Sequence, residues 1–322
     1  MANTDHATTP AQRRRQAVFI IGAGRSGTSV LTRGIQALGV DLGNRFKHAT
    51  RKNPTGFFED AELLALSKKV RRALGLRADS VRLLDDGEWD APKIEALRGQ
   101  AVAIIQRRFA SAPAWGFKYG RTLRLLPFWE PVLRQLEQDP VFVLALRNPL
   151  SVARSRAKLD ARRGVQEHSD LEWLVSIVPY FSRLRGAPLV VVDYDLLMEA
   201  PAAQLRRVAQ VLNLPTDSDS GAAIDRFAAD FLKSGMRHSR FDLNDLERDP
   251  RLNPLCRDAF LLLHRLAGDE ISVDAPQFWQ AWSVIEQGLA TQAPLLRHID
   301  RLGRAWRLAR WNPLAMFGVG PR

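Results

Sequence analysis

Val18-Phe-Ile-Ile-Gly22-Ala-Gly24-Arg25-Ser26-Gly27-Thr28-Ser29-Val30-Leu31 is the stretch from which the rest of the chain can be read. Four consecutive apolar residues fit a strand buried on both faces. Three glycines, at 22, 24 and 27, then fit a tight turn, and the residues from Thr28 fit a helix. That order turns successive backbone N–H groups, and the positive end of the helix, toward one point. Such a point suits a phosphate or sulfate group.

Three kinds of anion site compete for this loop. Gly22, Gly24 and Gly27 match the dinucleotide fingerprint G-x-G-x-x-G, with Asp41 as the ribose acid, but that acid should close a second strand. The residues before Asp41, Gly34-Ile-Gln-Ala-Leu-Gly39-Val40, read as the end of a helix instead. A nucleotide P-loop, G-x-x-x-x-G-K-[ST], is met by Gly22, Gly27 and Ser29, yet Thr28 stands where the phosphate-neutralising lysine belongs. In the third reading Arg25-Ser-Gly-Thr-Ser29 is itself the motif: a cation, then a small loop with three hydroxyls at a helix start.

Outward from the loop, further apolar runs stand at Trp115–Lys118, Val141–Leu146 and Leu189–Asp193, besides Ala17–Ile21. Helical patterns fall around 28–38, 60–74, 92–110, 150–163, 170–184 and 201–212. Strands separated by helices imply an α/β protein with a parallel sheet built from right-handed crossovers. The third run ends in Arg147-Asn-Pro149. Pro149 suits a first helical turn, Arg147 would project into the crevice above the sheet, and Ser155, about two turns on, could share its anion.

Arg25-Ser-Gly-Thr-Ser29 resembles the 5′-phosphosulfate loop of sulfotransferases that use 3′-phosphoadenosine-5′-phosphosulfate (PAPS). Leu-Ala-Leu-Arg147-Asn-Pro-Leu-Ser-Val-Ala-Arg-Ser155 resembles their 3′-phosphate motif, and the two follow one another in the family order. Asn53-Pro-Thr-Gly-Phe-Phe-Glu59-Asp60 and Val190-Val-Val-Asp-Tyr194 resemble two further segments common in bacterial members. Trp115-Gly-Phe-Lys118-Tyr-Gly-Arg121 takes the place of the family's strand-end lysine segment. The resemblance spans about residues 17–240. It implies a P-loop-like three-layer sandwich around a central parallel sheet, with PAPS as donor and no metal.

Under that resemblance Gly24, Arg25, Ser26, Gly27, Thr28 and Ser29 hold the 5′ end of the donor. Arg147 and Ser155 hold its 3′-phosphate, and Tyr194 frames the adenine. In-line transfer rests on positioning and fixed charge, for which Arg25 and Lys118 are the candidates. Many members place a histidine base two residues after the lysine; here that position is Gly120. Glu59 is therefore the expected base, as in glycan-modifying members, with His48 in reserve. The alternative role for Glu59 is to complement the dipole of the helix that follows. Lys233 and Arg237 lie where the family often adds a late basic contact.

The 322 residues carry a net charge of +12, with 39 Arg among 47 Arg and Lys. A basic surface points to an anionic partner, although a GC-rich genome also inflates arginine. Cys256 is the one cysteine, so neither a disulfide nor a cysteine-based metal site is expected. No apolar run approaches membrane length, and nothing resembles a signal peptide, so a cytoplasmic protein is expected. The domain division reads as a loose segment at 1–16, the sulfotransferase domain at 17–245 and a helical extension at 246–322 packed on it. In that extension Leu295, Ile299, Leu302 and Trp306 repeat at helical spacing beside Arg297, Arg301 and Arg304. Such a helix either caps the body with its tryptophan packed, meets a second copy, or lies on an anionic membrane. A nucleotide-dependent kinase with a degenerate P-loop and a basic nucleic-acid binder are the competing functions. No nucleic-acid motif is present, so no nucleic-acid partner is expected. The acceptor, a glycan, lipid or small molecule, has no readable signature.

Overall fold

The computed structural model describes residues 15–46, 58–214, 218–233 and 241–311. The four apolar runs are strands: β1 (Gln16–Ile21), β2 (Ala114–Lys118), β3 (Asp139–Leu146) and β4 (Leu189–Asp193). All pair in parallel, in the order β2-β1-β3-β4. The helices are α1 (Thr28–Ala37), α2 (Ala61–Ala73), α3 (Pro92–Phe109), α4 (Leu126–Gln135), α5 (Pro149–Ala157), α6 (Gln166–Ile177), α7 (Tyr194–Glu199), α8 (Pro201–Val211) and α9 (Ser218–Lys233). After them come α10 (Leu243–Arg248), α11 (Pro254–Ala267), α12 (Pro276–Thr291) and α13 (Ala293–Trp311).

Side chains alternate across the sheet, so each strand feeds two cores. Val18 and Ile20 of β1 face α1, α7, α8 and α9, where Ile35, Leu197, Leu205 and Phe227 are buried. Phe19 and Ile21 face the other way, into a larger core with Leu63, Ile105, Trp129, Trp173 and Phe260. Two helical layers thus enclose a parallel sheet. Helices α11 and α12 bury Cys256, Leu263, Phe278 and Trp282 in that larger core.

Local chemistry sets the helix ends. Asp60 caps α2 by accepting from the amides of Glu62 (3.1 Å) and Leu63 (3.0 Å). Asn148 caps α5 through Leu150 N–H (3.0 Å), with Pro149 at the first helical position as expected. The pattern at 150–163 suggested a longer helix, but α5 stops at Ala157. There the Asp160 carboxylate takes the amides of Arg162 (3.1 Å) and Arg163 (3.2 Å), offering the backbone a turn instead. Likewise α6 gives way to a 3₁₀ segment at Val178–Leu184, where Pro179 removes an N–H.

Helix α13 departs from the expected face. Leu296 and Asp300 turn inward, and the Asp300 carboxylate accepts from Val81 N–H (2.8 Å). Trp306 is 70% exposed, together with Leu295 and Leu302, so a cap with its tryptophan packed is not what forms. Among the described residues no helix is long and apolar enough to cross a membrane.

Asp170 on α6 is fully buried, accepting from Gln166 Nε2 (2.6 Å) and Asn253 N–H (2.9 Å). Burial pushes its carboxyl up to about 6, against those two bonds. A carboxyl raised above its unfolded value of 3.8 binds its proton more tightly when folded, so stability grows as pH falls through 6. Asp193, also raised by burial, acts in the same sense. Glu88 is held low by its bond from Arg82 and opposes this, but only below its ordinary value of 4.5. Urea unfolding is expected to give about 1 kcal/mol more stability at pH 5 than at pH 7.5. The Asp170→Asn variant should lose most of that rise, and a flat wild-type profile would contradict the assignment.

Candidate functional site

β1 lies between β2 and β3, so the chain leaves it first toward one edge of the sheet and later toward the other. Open α/β sheets bind ligands in the crevice at such a reversal, beyond the carboxyl ends of the strands. The loop 22–27 leaves β1 there, and Arg147 leaves β3. Register brings in β2: Ile20 pairs with Lys118 on one side and Val143 on the other, so Lys118 ends beside the same loop.

Three residues turn that loop with positive φ: Gly22 (136°), Arg25 (81°) and Gly27 (84°). Arg25 is held in a conformation that few non-glycine residues adopt, which marks a constrained loop. Ser26 N–H closes a turn on the Ala23 carbonyl (3.1 Å). Gly27 is the N-cap of α1 and brings no side chain to cap it. Consequently the amides of Gly24, Arg25, Gly27, Thr28 and Ser29 donate to no acceptor among the described residues. The Ser26 hydroxyl, on a residue only 1% exposed, likewise finds no partner among them. A buried donor without an acceptor, as the Ser26 hydroxyl is, is costly. A cradle of unmet donors at a helix N-terminus fits an oxyanion.

Cations surround the cradle. Lys118, 4% exposed, sets its Nζ 3.2 Å from Ser29 Oγ and 3.2 Å from Glu59 Oε1. A strand-end lysine thus reaches the loop whose own position 28 lacks one. Arg147 Nη1 donates to the Arg25 carbonyl (3.2 Å), and its guanidinium lies 4.4 Å from the Tyr194 ring centre. Arg25 Nε donates to Ser155 Oγ (3.0 Å), so the serine of α5 meets the first loop as well. Burial, and then the charge of Arg147, push Arg25 below the usual guanidinium range. Burial lowers Arg147 too, against the opposing pull of Tyr194, Asp195 and Asp193. Burial is the first cause of both shifts, and only that of Arg25 also carries the charge of the other cation.

The sequence reading missed Arg156. Its Nη1 donates to the carbonyl and hydroxyl of Ser169 (2.6 and 3.0 Å), and its Nη2 to the Gly24 carbonyl (3.3 Å). It ties α6 to the floor of the loop from a residue 5% exposed. Burial brings its guanidinium down to about 10, so it stays charged at neutral pH, 3.9 Å from Glu172. A signal existed in the sequence, since Arg156 follows Val152 at i+4 and shares its buried face.

Gly24 to Ser29, Lys118, Glu59, Arg147, Ser155 and Tyr194 therefore converge around one crevice. Asp41 does not join them. It bridges to Trp115, near the start of β2 and away from the carboxyl ends, which removes the ribose acid a dinucleotide site needs. His48, Asn53–Phe57 and Arg237 lie outside the described residues; Lys233 closes α9. No group of three or more His, Cys, Asp and Glu that could hold a metal occurs among the described residues.

No family model and no curated protein sequence matches the chain. Several solved structures show a distant likeness, among them three sulfotransferases or sulfotransferase domains. The sulfotransferase domain from the Synechococcus PCC 7002 olefin synthase is 16% identical, with a TM-score of 0.42, over 88% of this chain and 97% of that one. Sulfotransferase STF9 from Mycobacterium avium is 16% identical, with a TM-score of 0.44, over 82% of this chain and 78% of that one. The sulfotransferase domain from the curacin biosynthetic pathway is 17% identical, with a TM-score of 0.38, over 87% of this chain and 99% of that one.

Proposed function

We propose that the protein is a sulfotransferase that takes PAPS as donor and sulfates a hydroxyl, or an amine, of a glycan, lipid or small-molecule acceptor. The observation that carries this reading is the loop of unmet amides whose Ser29 is touched by Lys118, with Glu59 on the lysine's other side. When bound, the donor supplies an activated sulfuryl group and leaves as adenosine 3′,5′-bisphosphate.

The chain's residues then divide the work. The amides and hydroxyls of Gly24 and Ser26–Ser29 hold the 5′ end. Arg147 and Ser155 hold the 3′-phosphate, with Tyr194 framing the adenine. Arg25 and Lys118 provide fixed charge where negative charge grows, without reorganising during the reaction. Glu59 takes the acceptor's proton at a carboxylate oxygen. Lys118 orients that carboxylate, and both side chains are largely buried.

Calorimetric titration with adenosine 3′,5′-bisphosphate and with ATP–Mg²⁺ separates this from a kinase with a degenerate P-loop. The bisphosphate is expected to bind tighter; the reverse order, or no bisphosphate binding, would sink the proposal. Arg147→Ala removes a charge-assisted contact of about 1.5–3 kcal/mol, so bisphosphate affinity should fall roughly 10- to 150-fold. In Glu59→Gln, turnover should drop by about 10²–10⁴ with bisphosphate affinity nearly unchanged. Normal turnover in Glu59→Gln would end its role as base.

A further inference from the structure

Past Lys118 the chain runs through Tyr119 and Gly120 to Arg121. A Cβ on Gly120 would lie 3.7 Å from Gly24 Cα, so this segment borders the anion loop itself. Arg121 Nη2 donates to the Ala78 carbonyl. Arg71, in the last turn of α2, lies within electrostatic range of Tyr119, Arg121 and Asp79. Its Nε and Nη1 are shielded from water and find no hydrogen-bond partner among the described residues.

Charge at this place does not balance. Asp79 is the nearby carboxylate, and it is already shared by Arg77 (3.4 Å), Arg162 (3.7 Å) and Arg307 (2.9 Å). Neither Arg71 nor Arg121 has a carboxylate partner among the described residues. The side chains outside the described ones add just three acidic residues, Asp5, Asp217 and Asp219, and the stretch before Glu59 adds Lys47, Arg51 and Lys52. Burial, and then the charges of Arg121 and Arg72, push Arg71 below the usual guanidinium range against the pull of Tyr119 and Asp79. A helix C-terminus welcomes cations, but exposed Arg72 meets that need. The dipole gives no reason to withhold Arg71 from water.

We propose that Arg71 and Arg121 form an oxyanion site for the acceptor: the molecule that is sulfated already carries a carboxylate, phosphate or sulfate ester group. This rests on the sulfotransferase reading for its place in the reaction, though not for the existence of the site. Arg71 stands ten residues beyond Ala61, about 15 Å along α2 at 1.5 Å per residue, while Glu59 precedes the same helix. An acceptor spanning that distance would present its hydroxyl to Glu59 and its anionic group to the two arginines. Paired guanidinium forks match a planar or tetrahedral oxyanion better than ammonium groups would.

Inorganic phosphate is the probe, titrated into the full-length protein saturated with adenosine 3′,5′-bisphosphate. One further phosphate site is expected. It should weaken at least tenfold in Arg71→Gln/Arg121→Gln, while Arg72→Gln and Lys118→Met keep it within about twofold. Absence of a further site, or unchanged affinity in the double variant, would overturn the proposal. So would loss of phosphate binding in Lys118→Met alone, which would place the ion in the sulfuryl position. Circular dichroism and the bisphosphate titration show first that Lys118→Met is folded, and then whether the double variant is. If it is not, the single Arg121→Gln variant, expected to weaken phosphate about threefold or more, decides the same question. Failure of the bisphosphate to bind wild type would refute the donor reading, and phosphate titration of the protein alone would still decide the site.

Discussion

Lys118→Met should lower turnover by about 10²–10³, the loss expected when one preorganised donor is removed from developing charge. It should also destabilise the fold. The side chains of Lys118 and Glu59 are 4% and 12% exposed and paired at 3.2 Å. Breaking a buried pair from one side typically costs about 3–5 kcal/mol, because the other charge is left behind. A second substitution separates these effects. Lys118→Met/Glu59→Gln removes both charges, and its stability should return to within about 1–2 kcal/mol of wild type, while turnover stays at the level of the worse single variant. Residues that act as a unit are non-additive in this way. Urea unfolding and single-turnover assays with labelled donor check the two halves. Recovery of turnover along with stability would show that the pair serves the fold alone.

The second large effect concerns glycine. A Cβ on Gly22 would sit 2.5 Å from the Ala145 carbonyl oxygen, and φ there is +136°. The clash is with the β3 backbone, which cannot retreat without breaking its pairing with β1. Gly22→Ala combines about 1–3 kcal/mol of backbone strain with about 1–3 kcal/mol of overlap. It should lose both stability and bisphosphate binding. Gly27→Ala meets the Tyr194 ring at 2.4 Å with φ at +84°, and a side chain can move further than a strand, so its stability loss should be smaller. Gly24 is the informative contrast. Nothing lies within 4 Å of a Cβ built there. Gly24→Ala should therefore unfold at the wild-type urea concentration, yet bind bisphosphate at least tenfold more weakly, because the added methyl group occupies space left for the ligand. Normal binding by Gly24→Ala would mean that no ligand approaches the loop at that point.

The strands and the loop were legible for a local reason. β1, β3 and β4 are continuous Val, Ile, Leu and Phe runs, which only a doubly covered sheet accommodates. What hid the remainder was long-range or self-masking. Helix α4 contains Pro127 and Pro131 and so reads as broken, although its first turn tolerates one proline and the structure absorbs the other. The inward face of α13 differs from its apolar repeat because Asp300 bonds the Val81 amide, a partner more than two hundred residues away. At the site, the glycines, hydroxyls and Arg147 announced themselves through strand-end position. The pairing of Lys118 with Glu59 could not be read from either segment, since it depends on β1–β2 register and on the Asp60 cap that starts α2. Arg156 was hidden by its ordinary place on a helix.

The switch-point topology also governs how the chain must be made. Of the four described strands β1 is the first to leave the ribosome, yet its place is in the middle of the sheet. From Ile21 to Asp139, where β3 begins, synthesis at about 5–20 residues per second takes roughly 6–24 s. For that interval one edge of a strand that is apolar from Ala17 to Ile21 has no partner. An unpaired hydrophobic edge is an aggregation template, and long-range parallel pairing is slow to form. Slower translation after β1, or expression at a rate that outruns chaperones, should therefore depress the yield of soluble protein more than it would for a sheet assembled in sequence order.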